Sequence, residues 1–140
     1  MISQKAKYAL RALLVLAKSP PDEAHVIGHI ASSQNIPKKF LEQILLELKQ
    51  NGILASKRGK TGGYLMARPP REVTFGEVLR LLDGPVAPLP CLSKTAYQRC
   101  ADCGREEDCE IRKVFARVAD ATRRVLDQTT IADATDNNIP

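Results

Sequence analysis

FLEQILLELKQNGILASKRGKTGGYLMAR, residues 40–68, changes its periodicity halfway along. Leu41, Ile44, Leu45 and Leu48 recur at intervals of three and four, so residues 38–50 predict an amphipathic helix that buries them together with Phe40. Pro37 suits the first-turn position of that helix, and Gly52 supplies a left-handed end. ILAS and YLMA then read as two short strands joined by KRGKTGG, a hairpin whose tip is basic and rich in glycine.

Working outward, Val26–Ser33 predicts a short helix with Ile27, Ile30 and Ala31 on one face, separated from the first by NIP. Ser3 can cap an opening helix that runs to about Lys18, until SPPDEA breaks it. Downstream, Thr74 and Glu77 form the T-x-x-E pattern of a capping box for a helix through Leu82. DGPVAPLP is a stiff linker, followed by a segment holding all four cysteines, Cys91, Cys100, Cys103 and Cys109. A last helix is expected over 108–128, with Ile111, Val114, Phe115, Val118, Thr122 and Val125 along one seam, and ADATDNNIP reads as a frayed polar tail.

The fold class is therefore mainly α with a small β-hairpin wing: a winged helix-turn-helix plus a long C-terminal dimerisation helix. The expected divisions are a DNA-binding domain at 1–83, a cysteine-rich sensor loop at 84–107, a dimerisation helix at 108–130 and a flexible tail at 131–140. A helix fits the major groove of DNA, and a basic hairpin can follow the flanking phosphates or enter the minor groove. Lys38 and Lys39 stand on the first turn of the second helix of the motif, where the helix dipole also faces an anion. At the hairpin tip Lys57, Arg58 and Lys60 supply charge, while Thr61, Gly62 and Gly63 complete a turn in which the backbone can come close. Each of these residues also fits a solvated helix start or an ordinary tight turn. His25 and His29, four apart, receive no role.

Charge and composition agree with a polyanion partner. Residues 1–82 hold thirteen Lys and Arg against six Asp and Glu, and residues 83–140 hold eight against ten, within a chain of net charge +5. With 4% aromatic residues and no Trp, the core has to be aliphatic. No apolar run approaches the roughly 18–20 residues of a membrane span. The opening MISQKAKYALRALLVLAKSP outlines a secretory signal, but Arg11, Lys18 and Pro20-Pro21 interrupt that outline and no small-residue cleavage site follows. A cytoplasmic protein is expected. Its thiols stay reduced there, so clustered cysteines indicate a metal or a redox role.

KAKYALRALLVLA, LEQI, RGKTGGY and VTFGEVLRLLDG, taken with the 40–68 stretch, resemble the Rrf2 family of bacterial winged-helix transcription regulators over about residues 2–132. Iron–sulfur and nitric-oxide sensors are among its members. The resemblance implies a homodimer joined through the helix at 108–128 and bound to double-stranded DNA at a pseudo-palindromic operator. It places Lys39, Phe40, Glu42 and Gln43 at or near the bases and Arg58 in the minor groove. Many members carry a small polar residue where Lys39 stands.

The resemblance also identifies Cys91, Cys103 and Cys109 as the three cysteines of cluster-binding members. Some members add a histidine where this chain has Arg112, or a carboxylate where it has Tyr8. Cys100 is extra, and ligation by all four cysteines of a 2Fe–2S or 4Fe–4S cluster is the economical expectation. Structural zinc, a direct thiol redox switch, and control by a partner protein or metabolite are the alternatives. Cluster gain, loss or oxidation would change the order of the loop and so the separation of the two recognition helices. A thiol oxidoreductase would place its CxxC at a helix start within a βαβ pattern, which is absent here, so the chain is not expected to be an enzyme.

Overall fold

The computed structural model describes residues 2–140; Met1 lies outside the described residues. Helix α1 spans Gln4–Ala17, α2 Ile27–Gln34, and α3 Lys38–Gln50. Strands β1 (Leu54–Lys57) and β2 (Gly63–Met66) pair antiparallel with Leu54 opposite Met66 and Lys57 opposite Gly63. Helices α4 (Phe75–Asp83), α5 (Glu110–Gln128) and α6 (Ile131–Thr135) complete the chain. The fold is mostly helical with one two-stranded wing.

Ser3 caps α1 by accepting the Ala6 N–H at 3.0 Å, and its own N–H and hydroxyl both go to Asp83 on α4. Those bonds hold the Asp83 carboxyl below the ordinary carboxylate range. The small residues Ala6, Ala9 and Ala12 let α1 sit at the centre of the winged domain, against α3, α4 and α6. Leu13, Ile30, Leu41, Ile44, Leu45, Leu48, Ile53, Leu54, Val73 and Val78 fill the aliphatic core around it. Asn35, in the left-handed region at φ 54°, ends α2 and turns the chain into α3.

Four details differ from the sequence expectation. Phe40 is not buried: it is 37% exposed and meets Tyr8 edge-on, with ring centroids 5.6 Å apart. It precedes the first full turn of the apolar stripe and so lies at its rim. Pro37 stands one position before the first turn of α3, as the flanking residue whose carbonyl accepts the Leu41 N–H. Glu77 does not close a capping box. Thr74 accepts the Glu77 N–H at 3.1 Å, but the Glu77 carboxylate is taken by Arg68 at 2.5 and 3.2 Å.

The fourth difference is the tail. Residues 131–135 form a helix with a true capping box between Thr130 and Asp133, and Ile131 is fully buried in the core beside α1. The Ile131 N–H donates to the Val73 carbonyl at 2.9 Å, and Phe75 N–H donates to Thr129 O at 3.0 Å. An apolar anchor with its backbone donors satisfied does not fray.

Candidate nucleic-acid interface and cysteine cavity

Lys38, Lys39, Phe40, Glu42 and Gln43 all lie on the exposed side of α3, at its N-terminal end. The buried stripe Leu41–Ile44–Leu45–Leu48 on the opposite side fixes that orientation. At the wing, Lys57, Arg58, Lys60 and Thr61 are exposed and surround the turn. Among the described residues none of Lys38, Lys39, Lys57, Arg58 or Lys60 takes part in an ion pair. Their charge is unspent.

The wing is held in place through its backbone. His25 and Tyr64 exchange two hydrogen bonds, at 2.8 and 2.7 Å, tying β2 to the segment that enters α2. Gly63 permits this contact: its φ is +136°, and a Cβ there would lie 2.2 Å from the His25 carbonyl oxygen. Gly62 closes the turn, donating its N–H to Gly59 O at 3.0 Å. The His25 and His29 rings stack 5.9 Å apart next to the wing, beside Lys57 and Lys60.

The four cysteines gather around one cavity. Cys91, Cys100, Cys103 and Cys109 all line one cavity of about 290 Å³, together with Leu89, Pro90 and Ile111. Cys91 is buried in a short 3-10 turn at Pro90–Leu92, and Cys109 occupies the N-cap of α5, its sulfur accepting the Arg112 N–H at 3.4 Å. That helix begins at Glu110 and not at Asp108, because Glu106–Asp108 forms a separate 3-10 turn that delivers Cys109 to the cap. Partial burial, and then the neighbouring Cys109 and Cys100, push the Cys103 thiol up to about 11.

All four cysteines are free thiols. No three His, Cys, Asp or Glu side chains among the described residues stand at the spacing of a single metal ion. The donor set nevertheless suits a thiolate-held group. Four soft ligands face one largely apolar space, and metal binding would displace their S–H protons.

Two arginines of α5 grip the cysteine segment. Arg112 Nη2 donates to the Cys91 carbonyl at 3.3 Å and Arg123 Nη2 to the Leu92 carbonyl at 2.5 Å. In the sequence Arg112 stands out only as the position where some members of the family carry a histidine, and nothing marks Arg123. No local pattern marks a side chain that binds a backbone carbonyl twenty or thirty residues away. On its outer side α5 is bare: Ala119 is its one buried residue, while Ile111, Val114, Phe115, Val118 and Val125 are exposed.

A helix-turn-helix carrying a basic wing, with its reading helix solvent-facing, defines the winged-helix class of DNA-binding transcription regulators. The chain belongs to the Rrf2 family: the family model described as "Iron-dependent Transcriptional regulator" matches residues 2–137. It is 49% identical to a putative rrf2-like HTH-type transcriptional regulator of Rhodobacter capsulatus, over 95% of this chain and 91% of that one. Among solved structures it is similar to CymR, the global cysteine regulator of B. subtilis, with a TM-score of 0.81 and 30% identity over 98% of this chain and 97% of the other. It is also similar to T. potens IscR, with a TM-score of 0.74 and 27% identity over 98% and 87%. The relatives are named as transcription regulators, and the chain is not an enzyme. Among the described residues no helix is long and apolar enough to cross a membrane.

Proposed function

We propose that this chain acts in the cytoplasm as a homodimeric regulator whose DNA affinity is set by the state of its cysteine cavity. The observation that carries this reading is the placement of all four cysteines around one cavity, at the N-terminal end of a long helix whose outer face leaves its large apolar side chains exposed. Five exposed large apolar side chains on one helix face are worth about 1.5–3 kcal/mol each when fully buried. A second copy of α5 gives them somewhere to go, and a two-fold pair carries two reading helices to a pseudo-palindromic operator.

Lys38, Lys39, Phe40, Glu42 and Gln43 present α3 to the major groove. Lys57, Arg58 and Lys60, with Thr61, Gly62 and Gly63 shaping the turn, set the wing against phosphates and the minor groove. Cys91, Cys100, Cys103 and Cys109 would hold an iron–sulfur cluster, of 2Fe–2S or 4Fe–4S type. Bound there, such a group supplies a centre whose stability depends on oxidation state and iron supply. The chain's own part is mechanical: Arg112 and Arg123 transmit the position of the Cys91 turn to α5, and α5 sets the spacing of the reading helices. Regulation follows only if the two loop states differ in DNA affinity.

A metal-free thiol switch is the second reading, since the four cysteines lining the cavity are free thiols. There a hydroperoxide would accept two electrons at its O–O bond, which breaks; two thiols would lose their protons and join as a disulfide, and the two oxygens would leave as water and the corresponding alcohol (a second water for hydrogen peroxide). Anaerobic purification with visible absorption and analysis of iron, sulfide and zinc separates the readings. Iron with sulfide supports the cluster; zinc alone makes the loop a structural clip; no metal leaves the thiol switch. In each case operator binding is then compared between the loaded or oxidised form and the apo reduced form, and equal affinity overturns sensing by the cysteines.

A further inference from the structure

We infer that Leu46 reads the 5-methyl group of a thymine in the major groove of DNA, an inference that rests on α3 being the helix that enters that groove.

Leu41, Ile44, Leu45 and Leu48 face the core, so the side of α3 turned furthest from it is the stripe Lys39, Gln43, Leu46 and Gln50. All four are exposed, and three of them are polar. Leu46, 48% exposed, is the large apolar side chain in their midst. It belongs neither to the core nor to the apolar side chains packed against it. Phe40, by contrast, lies at the rim of the buried stripe and meets Tyr8. The next residue, Glu47, turns to α1, where Lys5 Nζ stands 2.6 Å from its carboxylate.

A leucine exposed on its own is ordinary in general, and the place of this one gives it a role. At about 1.5 Å per residue, Leu46 stands about 4.5 Å along the helix axis from Gln43, less than one turn. A groove that brings Gln43 to a base edge therefore covers Leu46 as well. Major-groove edges offer hydrogen-bond donors and acceptors at every base pair, and one apolar group, the thymine methyl. A leucine pressed on a donor or acceptor strips its water and returns no hydrogen bond. Against a methyl group nothing polar is stranded, and both apolar surfaces leave water. Leu46 thus selects thymine at its own position, while Glu42 and Gln43 beside it meet polar edges.

The probe is the duplex that the full-length protein enriches from a randomised pool, with each thymine of its half-sites replaced in turn by deoxyuridine, which removes the methyl group alone. Fluorescence anisotropy gives the affinities. At one thymine of each half-site, deoxyuridine is expected to weaken the unaltered protein about fourfold per methyl, the worth of one buried methyl group. Leu46→Ala should bind the thymine duplex at least about fourfold more weakly and no longer distinguish thymine from deoxyuridine at that position. Its salt dependence should stay that of the unaltered protein, since no phosphate contact is lost.

Circular dichroism of each variant establishes that it is folded. A deoxyuridine penalty that persists undiminished in Leu46→Ala overturns the inference, as does the absence of any such penalty in the unaltered protein. Leu46→Ala affinity within about twofold of the unaltered protein overturns it too. In those cases a loss of specific binding in Gln43→Ala or Lys39→Ala keeps α3 in the groove, and only the role of Leu46 falls. If those two variants also bind as the unaltered protein does, or the pool enriches no sequence, α3 is not the reading helix and both fall together.

Discussion

Arg80 holds Asp127 through two parallel hydrogen bonds, 2.6 Å from Nη1 to Oδ1 and 3.0 Å from Nη2 to Oδ2, and this pair joins α4 of the winged domain to α5. The pair fits because residue 76 has no side chain. A Cβ on Gly76 would lie 2.1 Å from Asp127 Oδ1 and 2.9 Å from Arg80 Nη1. The glycine here serves a close approach, since its backbone sits within a helix.

Gly76→Ala therefore expels the Asp127 carboxylate. Both groups are ends of side chains a third to two-fifths exposed and can swing aside, so loss of the pair costs at most about 1 kcal/mol, while the helix preference of Ala over Gly returns about 0.5–1 kcal/mol. Urea unfolding at fixed protein concentration should therefore shift by less than about 1 kcal/mol. A larger loss would place a clash elsewhere.

Ile131→Ala tests the segment that returns to the core. Ile131 is fully buried against α1, so its truncation is expected to cost about 2–5 kcal/mol, whereas a frayed tail would lose nothing. Thr130→Ala removes the cap and should cost about 1 kcal/mol. Thermal or urea unfolding reads both.

At the wing, Lys57→Ala and Lys60→Ala remove exposed, unpaired cations. Each should weaken binding to specific and non-specific duplexes alike and reduce the slope of log affinity against log salt by about one. Fluorescence anisotropy at several salt concentrations measures it. An unchanged slope would take that lysine off the phosphate backbone.

Val114 is 60% exposed on α5. Val114→Glu should thus preserve helical circular dichroism while shifting the sedimentation equilibrium from dimer to monomer, with operator affinity falling at least tenfold through the loss of paired half-sites. A variant that stays dimeric would move the interface away from this face.

The α3–wing segment was legible because its hydrophobic period changes from helical to alternating within twenty residues, and the structure places α3 at Lys38–Gln50 as that period implies. Phe40 was misread for the same reason: it falls near the apolar stripe, and only the position of Tyr8 shows that it ends at the rim. The helix at Ile131–Thr135 is five residues long, too short for any period to register. Its signal was present in Thr130 and Asp133, the same cap spacing read at Thr74, but a polar C-terminal composition obscured it. The cysteine spacing pointed to a shared site, and all four line one cavity. The arginines that bind the loop's carbonyls were invisible, since a backbone carbonyl leaves no mark in a sequence.

Helix α5 is pinned at one end. Asp127, Thr129 and Ile131 fasten its C-terminal end to Arg80, Phe75 and Val73, while its first turn rests on the cysteine segment. At 1.5 Å per residue its nineteen residues make a beam about 28 Å long, with the fulcrum at Asp127 and the cysteines at the tip. A beam fixed in this way turns a shift of about 2 Å at its tip into a tilt of about 4° about its root. In a symmetric pair, two such tilts add.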